Sequence, residues 1–279
     1  SIYKQIKNYI QMKNIVKTIV MLAVLQFTNT NVFAQTIADS TMQKINEFRG
    51  FYETLGKVYP PNNTVSINET TISGVKSYMF NQEMLSKKEI MVYLHGGVYT
   101  YGNFNTYQAM ISHLARSFNS PILYIEYALS PEHPYPTANN EIFNVYKELQ
   151  KKYKDYKITV MGDSAGGGLA IALINDVQIA NLSMPASLAL ISPWIDLKCD
   201  NKSYETRQAL DPILSKDFLY NHALMYASNN IQEADPSELK FKEFPPVFLL
   251  VGTDEVLNDD AKNFYAYINP IQKKSKFKE

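Results

Sequence analysis

The feature that most constrains the fold is a series of short, continuous apolar runs separated by stretches with helical periodicity. The apolar runs lie at 90–94, 122–127, 158–161, 188–192 and 247–251, and the helical stretches at about 107–119, 139–152, 165–179 and 216–227. Continuous apolar runs are typical of strands buried on both faces, as in a parallel sheet covered by helices. The alternation therefore predicts an α/β fold with a mostly parallel central sheet, flanked by helices and joined by right-handed crossovers.

Two further elements precede these runs. Apolar residues recur at helical spacing over 39–55, which predicts a helix. The segments 65–72 and 75–80 flank Ser73-Gly74 and predict a hairpin. Because no internal repeat or low-complexity linker interrupts the rest of the chain, we expect one domain over 35–279.

The N-terminal region has the pattern of a secretory signal peptide. Lysines between residues 4 and 17 precede an apolar run at 19–27, which is followed by T-N-T-N-V-F-A-Q. This order predicts a signal peptide over 1–34 with cleavage after Ala34, and Met12 could be the true start. The apolar run is shorter than the about 20 residues of a membrane span, which favours cleavage over the alternative of a retained anchor. We therefore expect a secreted or periplasmic protein without stable membrane insertion after cleavage.

Composition excludes several classes of function. Lys plus Arg equal Asp plus Glu at 27 each, so no global charge indicates a nucleic-acid partner. Cys199 is the single cysteine of the sequence and cannot form an internal disulfide. No cluster of histidine and cysteine has the spacing of metal ligands. The sequence therefore predicts neither a metal site nor a nucleic-acid interface.

A candidate nucleophile lies between a predicted strand and a predicted helix. Residues 162–166, G-D-S-A-G, fit the pattern G-x-S-x-G. In this setting the serine occupies a sharp turn, so the positions two residues away must be nearly free of side chain, and the helix N-terminus faces developing negative charge. The pattern predicts Ser164 as a nucleophile. The alternative is a glycine turn that only packs a helix on a sheet.

A glycine pair follows the first of the apolar runs, in Y-L-H-G-G-V-Y at 93–99. Adjacent glycines allow backbone N–H groups to approach a ligand closely, so Gly96 and Gly97, together with the N–H of Ala165, could form an oxyanion hole. His95 precedes the nucleophile in the chain, and we expect its side chain to brace this loop.

Five motifs in the same order resemble those of the hormone-sensitive-lipase family of α/β-hydrolases. They are H-G-G at 95–97, E-Y-A-L-S-P-E-H-P-Y-P at 126–136, G-D-S-A-G-G at 162–167, D-P-I-L-S at 211–215 and V-G-T-D-E-V-L at 251–257. The resemblance extends from about residue 60 to the end of the sequence. One position differs, because Val98 stands where many members of the family have a third glycine.

The resemblance implies a fold, an activity and a set of residues. It implies an α/β-hydrolase fold with a mobile helical cap built from segments near 39–58 and 198–235. It implies a serine carboxylesterase that forms an acyl-enzyme. The implied substrates are small molecules, namely esters with small to medium acyl groups. The family needs no metal or organic cofactor. The acidic member of the triad falls on Asp254, which would orient the catalytic histidine.

No histidine occupies the place of the catalytic base. In this fold the order of the triad is Ser, Asp, His, whereas all four histidines precede Asp254. By the resemblance, a further strand and a histidine-bearing loop should follow the helix predicted at 260–268. We therefore expect a truncated chain that lacks the last strand of the sheet and is inactive or nearly so. The alternative is a non-catalytic homologue that binds a small ligand.

Overall fold

The computed structural model describes residues 39–228 and 230–279, which form one eight-stranded sheet with helices against it. The strands are β1 (Ile67–Ile72), β2 (Val75–Phe80), β3 (Glu89–Leu94), β4 (Ile122–Ile125), β5 (Lys157–Asp163), β6 (Ser187–Ile191), β7 (Val247–Leu250) and β8 (Lys276–Lys278). Their order across the sheet is β1-β2-β4-β3-β5-β6-β7-β8. The predicted signal peptide lies outside the described residues.

Six of the eight helices in the described residues overlap stretches that the sequence pattern predicts, and the two shortest do not. The helices are α1 (Asp39–Leu55), α2 (Phe104–Phe118), α3 (Thr137–Lys152), α4 (Ala165–Ile179), α5 (Ser203–Thr206), α6 (Lys216–Tyr226), α7 (Ile231–Ala234) and α8 (Asn258–Ile268). Two short 3₁₀ segments, Gln82–Lys87 and Pro236–Glu238, complete the described elements. No helix among the described residues is long and apolar enough to cross a membrane.

The sheet is parallel except at its β1–β2 end. Strands β1 and β2 form the predicted antiparallel hairpin, in which Ser73 and Gly74 take positive φ angles of 51° and 83°. Strand β2 also pairs antiparallel with β4, and every later pairing, from β4–β3 to β7–β8, is parallel. The α/β-hydrolase architecture expected from the sequence is therefore confirmed.

The two faces of the sheet are covered unequally. On one face, α3, α4 and α8 pack on inward residues of β3 to β7 to form the larger core. On the other face, α2 packs over β2, β4 and β3, where Tyr93 and Tyr124 are fully buried. Beyond β5 this second face is less covered, and Phe248 of β7 is 42% exposed there.

The expected loss of the last strand is wrong. Residues Lys276–Lys278 pair in parallel with β7, with Phe277 opposite Leu249. The Phe277 ring stacks on Tyr265 of α8 at a centroid distance of 5.4 Å. The sequence pattern missed this strand because one phenylalanine between two lysines is not a continuous apolar run. Strand β7 is therefore covered on both edges, by β6 and β8.

Candidate active site

The turn between β5 and α4 holds Ser164 in a strained backbone conformation, with φ 50° and ψ −121°. A Cβ added to Gly162 would lie 2.4 Å from the carbonyl oxygen of Gly166, and one added to Gly166 would lie 2.1 Å from the carbonyl oxygen of Leu94. Both contacts are shorter than atoms tolerate, so only glycine fits at these two positions. The geometry is that of the sharp strand-to-helix turn predicted from the sequence.

Ser164 lines a cavity of about 430 Å³. The cavity wall is mostly apolar and comes from the turn, from the loop after β3, from α1 and from the segment before α6. Its residues are Phe48, Tyr52, Gly97, Val98, Tyr101, Asp163, Ser164, Asp211, Pro212, Ile213, Leu214, Phe218 and Glu255. Both predicted cap segments therefore contribute to this wall. An apolar cavity with a few polar groups beside a nucleophile is the usual form of a small-molecule site.

The N–H of Gly96 is not free to stabilise an oxyanion. It donates a hydrogen bond of 2.9 Å to the Asp163 carboxylate, so the geometry is at odds with the prediction that Gly96 is a donor of the oxyanion hole. Gly97 and Val98 have no acceptor for their N–H groups among the described residues. Ala165 is the first residue of α4, where N–H groups lack partners within the helix. The available donors beside Ser164 are therefore Gly97, Val98 and Ala165.

Asp163 ties the nucleophile turn to the loop after β3. Its carboxylate accepts hydrogen bonds from the hydroxyl of Tyr93 at 2.8 Å and from that of Tyr107 at 3.0 Å, besides the Gly96 N–H. Burial raises the pKa of this carboxyl, whereas the three donors oppose that rise. Among the ion pairs of the described residues none includes Asp163, so hydrogen bonds are the contacts that favour its charged form.

Two adjacent acids differ in their access to the cavity. Asp254, the predicted acid of the triad, is exposed and does not line the cavity. Glu255 is half-buried, lines the cavity and accepts a 2.9 Å hydrogen bond from the N–H of Gly252. Asp211, in the predicted cap, accepts a 3.0 Å bond from the N–H of Val256 and so fixes this turn. The sequence did not single out Glu255 because neighbouring acids cannot be told apart without the backbone direction.

The four histidines all lie in the described residues, and none lines the cavity. His95 is buried, its Nδ1 lies 2.7 Å from the carbonyl oxygen of Gly96, and its ring stacks on Tyr127, in line with the predicted bracing role. Burial lowers its pKa to about 4. His113 and His133 are exposed. No described histidine is therefore placed to take a proton from Ser164.

His222, on α6, is buried beside the cavity wall. Its Nδ1 lies 2.7 Å from the carbonyl oxygen of Phe218, and its Nε2 lies 3.1 Å from the hydroxyl of Tyr101. Burial lowers its pKa to about 4, so the ring is neutral near pH 7. The sequence placed His222 on a cap helix but gave no signal for its contact with Tyr101, which is 121 residues away.

Helix α1 is bound to the same loop through Arg49. Its Nε donates to the carbonyl oxygen of Thr100 at 2.9 Å, and its Nη2 donates to that of Ser130 at 3.0 Å. The guanidinium also forms a bidentate pair with Glu132, with distances of 2.6 and 2.9 Å. One side chain therefore fixes α1 to the loop that contains Gly97 and Val98.

Known proteins share this architecture. The sequence profile described as the alpha/beta hydrolase fold matches residues 91–279. An esterase of Acinetobacter venetianus is 33% identical over 224 residues, which are 78% of this chain and 74% of that protein. An acetyl-hydrolase of Streptomyces hygroscopicus is 31% identical over 207 residues, 73% of this chain and 67% of that protein.

Solved structures agree with these relatives. The crystal structure of an esterase from the bacterial hormone-sensitive lipase family superimposes with a TM-score of 0.79 at 25% identity, covering 94% of this chain and 86% of that one. An esterase/lipase from an uncultured bacterium gives a TM-score of 0.78 at 27% identity, with coverages of 96% and 86%. The chain is therefore a hydrolase that belongs to the hormone-sensitive-lipase family of α/β-hydrolase esterases.

Proposed function

We propose that this chain cleaves carboxylic esters with small to medium acyl groups, and that Ser164 is the nucleophile. The observation that carries the proposal is the strained turn that presents Ser164 at an apolar cavity of about 430 Å³. A cavity of this size accommodates a short or medium acyl chain together with a small alcohol group. The esterase and the acetyl-hydrolase among the relatives support the same class of substrate.

The proposed reaction has two steps. The Oγ of Ser164 attacks the ester carbonyl carbon, and the carbonyl oxygen becomes an oxyanion. The oxyanion then collapses, the bond from carbon to the alcohol oxygen breaks, and the proton of the serine hydroxyl passes to the departing alkoxide. Water then attacks the acyl-serine and releases the carboxylic acid. The N–H groups of Gly97, Val98 and Ala165 support the oxyanion in both steps, and each such donor contributes about 3 kcal/mol in comparable enzymes.

The acid that would orient a base is either Asp254 or Glu255. The resemblance favours Asp254, whereas the cavity lining favours Glu255. Because none of the four histidines lines the cavity, we propose that this chain hydrolyses esters slowly. Loss of one triad member lowers the rate by on the order of 10⁴- to 10⁶-fold.

Hydrolysis of p-nitrophenyl acetate and p-nitrophenyl butyrate tests this proposal. We expect slow turnover that Ser164→Ala removes and that Ser86→Ala, an exposed serine, leaves unchanged. After subtraction of the rate with imidazole and no protein, we also expect added imidazole to raise the rate of the wild-type chain but not of Ser164→Ala, since imidazole can act as the general base. Turnover that survives Ser164→Ala would contradict the proposal.

The two acids are separated by Asp254→Asn and Glu255→Gln. Each variant keeps the shape of the side chain and removes its charge, so the imidazole-assisted rate reports which carboxylate orients and stabilises the base. We expect only one of the two variants to lose this assistance. Equal loss in both would show that neither acid acts alone.

A second candidate function is the binding of a small ester or aromatic ligand without turnover. It is favoured by the absence of any histidine from the lining of the cavity among the described residues. Thermal stabilisation by an ester that remains intact, together with no effect of imidazole, would support binding over catalysis.

A further inference from the structure

The loop after β3 contains three consecutive residues with positive φ: 112° at Gly97, 50° at Val98 and 60° at Tyr99. Only glycine takes such angles without strain, and a β-branched residue such as Val98 is an outlier there. Strain of this kind persists only where the surrounding structure holds it. Because Gly97 and Val98 lie beside Ser164 in the cavity wall, the groups that hold this loop matter to the site.

Bonds within the sheet domain account for part of the restraint. The N–H groups of Thr100 and Tyr101 both donate to the carbonyl oxygen of Gly97, at 2.9 and 2.7 Å. The carbonyl oxygen of Tyr99 accepts from the N–H of Ser130 at 2.8 Å and from its hydroxyl at 3.0 Å. These bonds close the turn. They involve only backbone atoms of Tyr99 and Tyr101, so other contacts hold the two side chains.

Trp194 packs on Tyr99, Phe48 and Tyr52 of α1 pack on Tyr101, and helix α6 contacts both tyrosines. The Tyr226 ring stacks on Tyr99 at a centroid distance of 3.8 Å with an angle of 8° between the planes. The Nε2 of His222 lies 3.1 Å from the Tyr101 hydroxyl. His222 is 1% exposed and Tyr101 is 4% exposed, so neither group can exchange this bond for bulk water.

The direction of the His222 bond follows from its other partner. The carbonyl oxygen of Phe218 can only accept, so Nδ1 carries the proton of the neutral ring. Nε2 is therefore an acceptor, and the Tyr101 hydroxyl donates to it. The bond joins a cap helix to the loop that contains Gly97 and Val98, and the loop residue is the donor.

We propose that Tyr101 and His222 are positioning residues whose hydrogen bond helps to hold this loop in its strained conformation, with its free N–H groups toward Ser164. In this role the Tyr101 hydroxyl and the His222 ring need not contact the substrate. The inference deepens the proposed function and rests on it only for its catalytic readout.

The test compares Tyr101→Phe with Tyr146→Phe. Both tyrosines are buried and both hydroxyls are hydrogen-bonded, but Tyr146 donates to the carbonyl oxygen of Ser183, away from the cavity wall. We measure hydrogen exchange of the Thr100 and Tyr101 amides and the rate at which a fluorophosphonate probe labels Ser164. We expect Tyr101→Phe to speed exchange and to slow labelling about fivefold to tenfold, as the loss of one hydrogen bond would. Tyr146→Phe should change neither.

A rescue experiment separates positioning from general stability. In a Val98→Gly background residue 98 takes its positive φ without strain, so Tyr101→Phe should then slow labelling less than twofold. Equal effects of Tyr101→Phe in both backgrounds, or unchanged exchange in the wild-type background, would overturn the proposal. If the wild-type chain is not labelled at all, the proposed function fails, whereas the exchange measurement still decides the role of Tyr101.

Discussion

Val98 occupies a backbone conformation that disfavours every residue with a Cβ, with φ 50°. At ordinary positions glycine is less stable than alanine by about 0.5–1 kcal/mol because it loses more backbone entropy on folding. At Val98 we expect the reverse, with Val98→Gly more stable than Val98→Ala by about 1 kcal/mol, since only alanine bears the left-handed penalty. Urea unfolding of the two variants measures this difference.

Val160 is the matched control for that comparison. It is a buried valine in the middle of β5, in regular strand conformation. There Val160→Ala should be more stable than Val160→Gly. The same order at both positions would mean that the loop does not hold Val98 at positive φ in solution.

Asp163 is expected to tolerate an amide but not an apolar side chain. Asp163→Asn keeps one acceptor for the Gly96 N–H and the Tyr93 hydroxyl, whereas Asp163→Leu leaves three donors without a partner. Each unsatisfied donor costs about 1–3 kcal/mol, so the leucine variant should lose at least about 3 kcal/mol more than the asparagine variant. Thermal unfolding of the pair checks the order, and equal losses would contradict the network.

At the scale of elements, α1 depends on the planar geometry of one guanidinium. Arg49 reaches two carbonyl oxygens and both carboxylate oxygens of Glu132. A lysine carries the same charge but cannot form this set of bonds. We therefore expect Arg49→Lys to destabilise α1 nearly as much as Arg49→Ala, which limited proteolysis within 39–55 would detect. The exposed Lys44 provides the control Lys44→Ala, which should leave proteolysis unchanged.

Elements with a strong apolar pattern could be predicted from the sequence, and weak ones could not. Strands β3 to β7 contain continuous apolar runs of the kind typical of buried parallel strands, although Phe248 of β7 is exposed on the partly uncovered face. Strand β8 has only Phe277 between two lysines, and its assignment depends on pairing with a neighbour distant in the chain. Pairing of this kind is a tertiary property that a local pattern does not contain.

The candidate site divides in the same way. The sharp turn at Ser164 could be predicted because the required glycines are visible two residues to each side. The hydrogen bond from the Gly96 N–H could not be predicted, since it depends on the orientation of the Asp163 carboxylate. The strain at Val98 could not be predicted either, because a valine in the sequence gives no indication of a positive φ.

At the scale of the whole molecule, two buried neutral histidines make stability depend on pH. The pKa values of His95 and His222 fall from 6.5 to about 4 on burial, so between these values the unfolded chain binds more protons. Stability due to each histidine is therefore lost as pH falls from about 6.5 toward 4, by about 2 kcal/mol between pH 7 and pH 5. Buried carboxyls with raised pKa values, Glu126 and Asp260, act in the opposite direction.

Because of these opposing groups, the measurement is a difference between variants. We expect the free energy of unfolding of His222→Gln to fall less than that of the wild-type chain between pH 7 and pH 5, by about 2 kcal/mol. The exposed His133 supplies the control His133→Gln, which should follow the wild-type curve. Parallel curves for all three chains would show that His222 is not buried and neutral in solution.

The partly uncovered face beside β7 and β8 has a consequence for how the chain behaves at high concentration. Phe248 is 42% exposed there, and Lys276 lies opposite it on the edge strand. Exposed edges next to apolar surface promote aggregation, and lysines on them act as gatekeepers against it. Lys276→Ile should therefore raise light scattering of concentrated solutions, whereas Phe248→Ser should lower it. The charge at the end of this sheet thus contributes to colloidal stability, apart from any part it has in the fold.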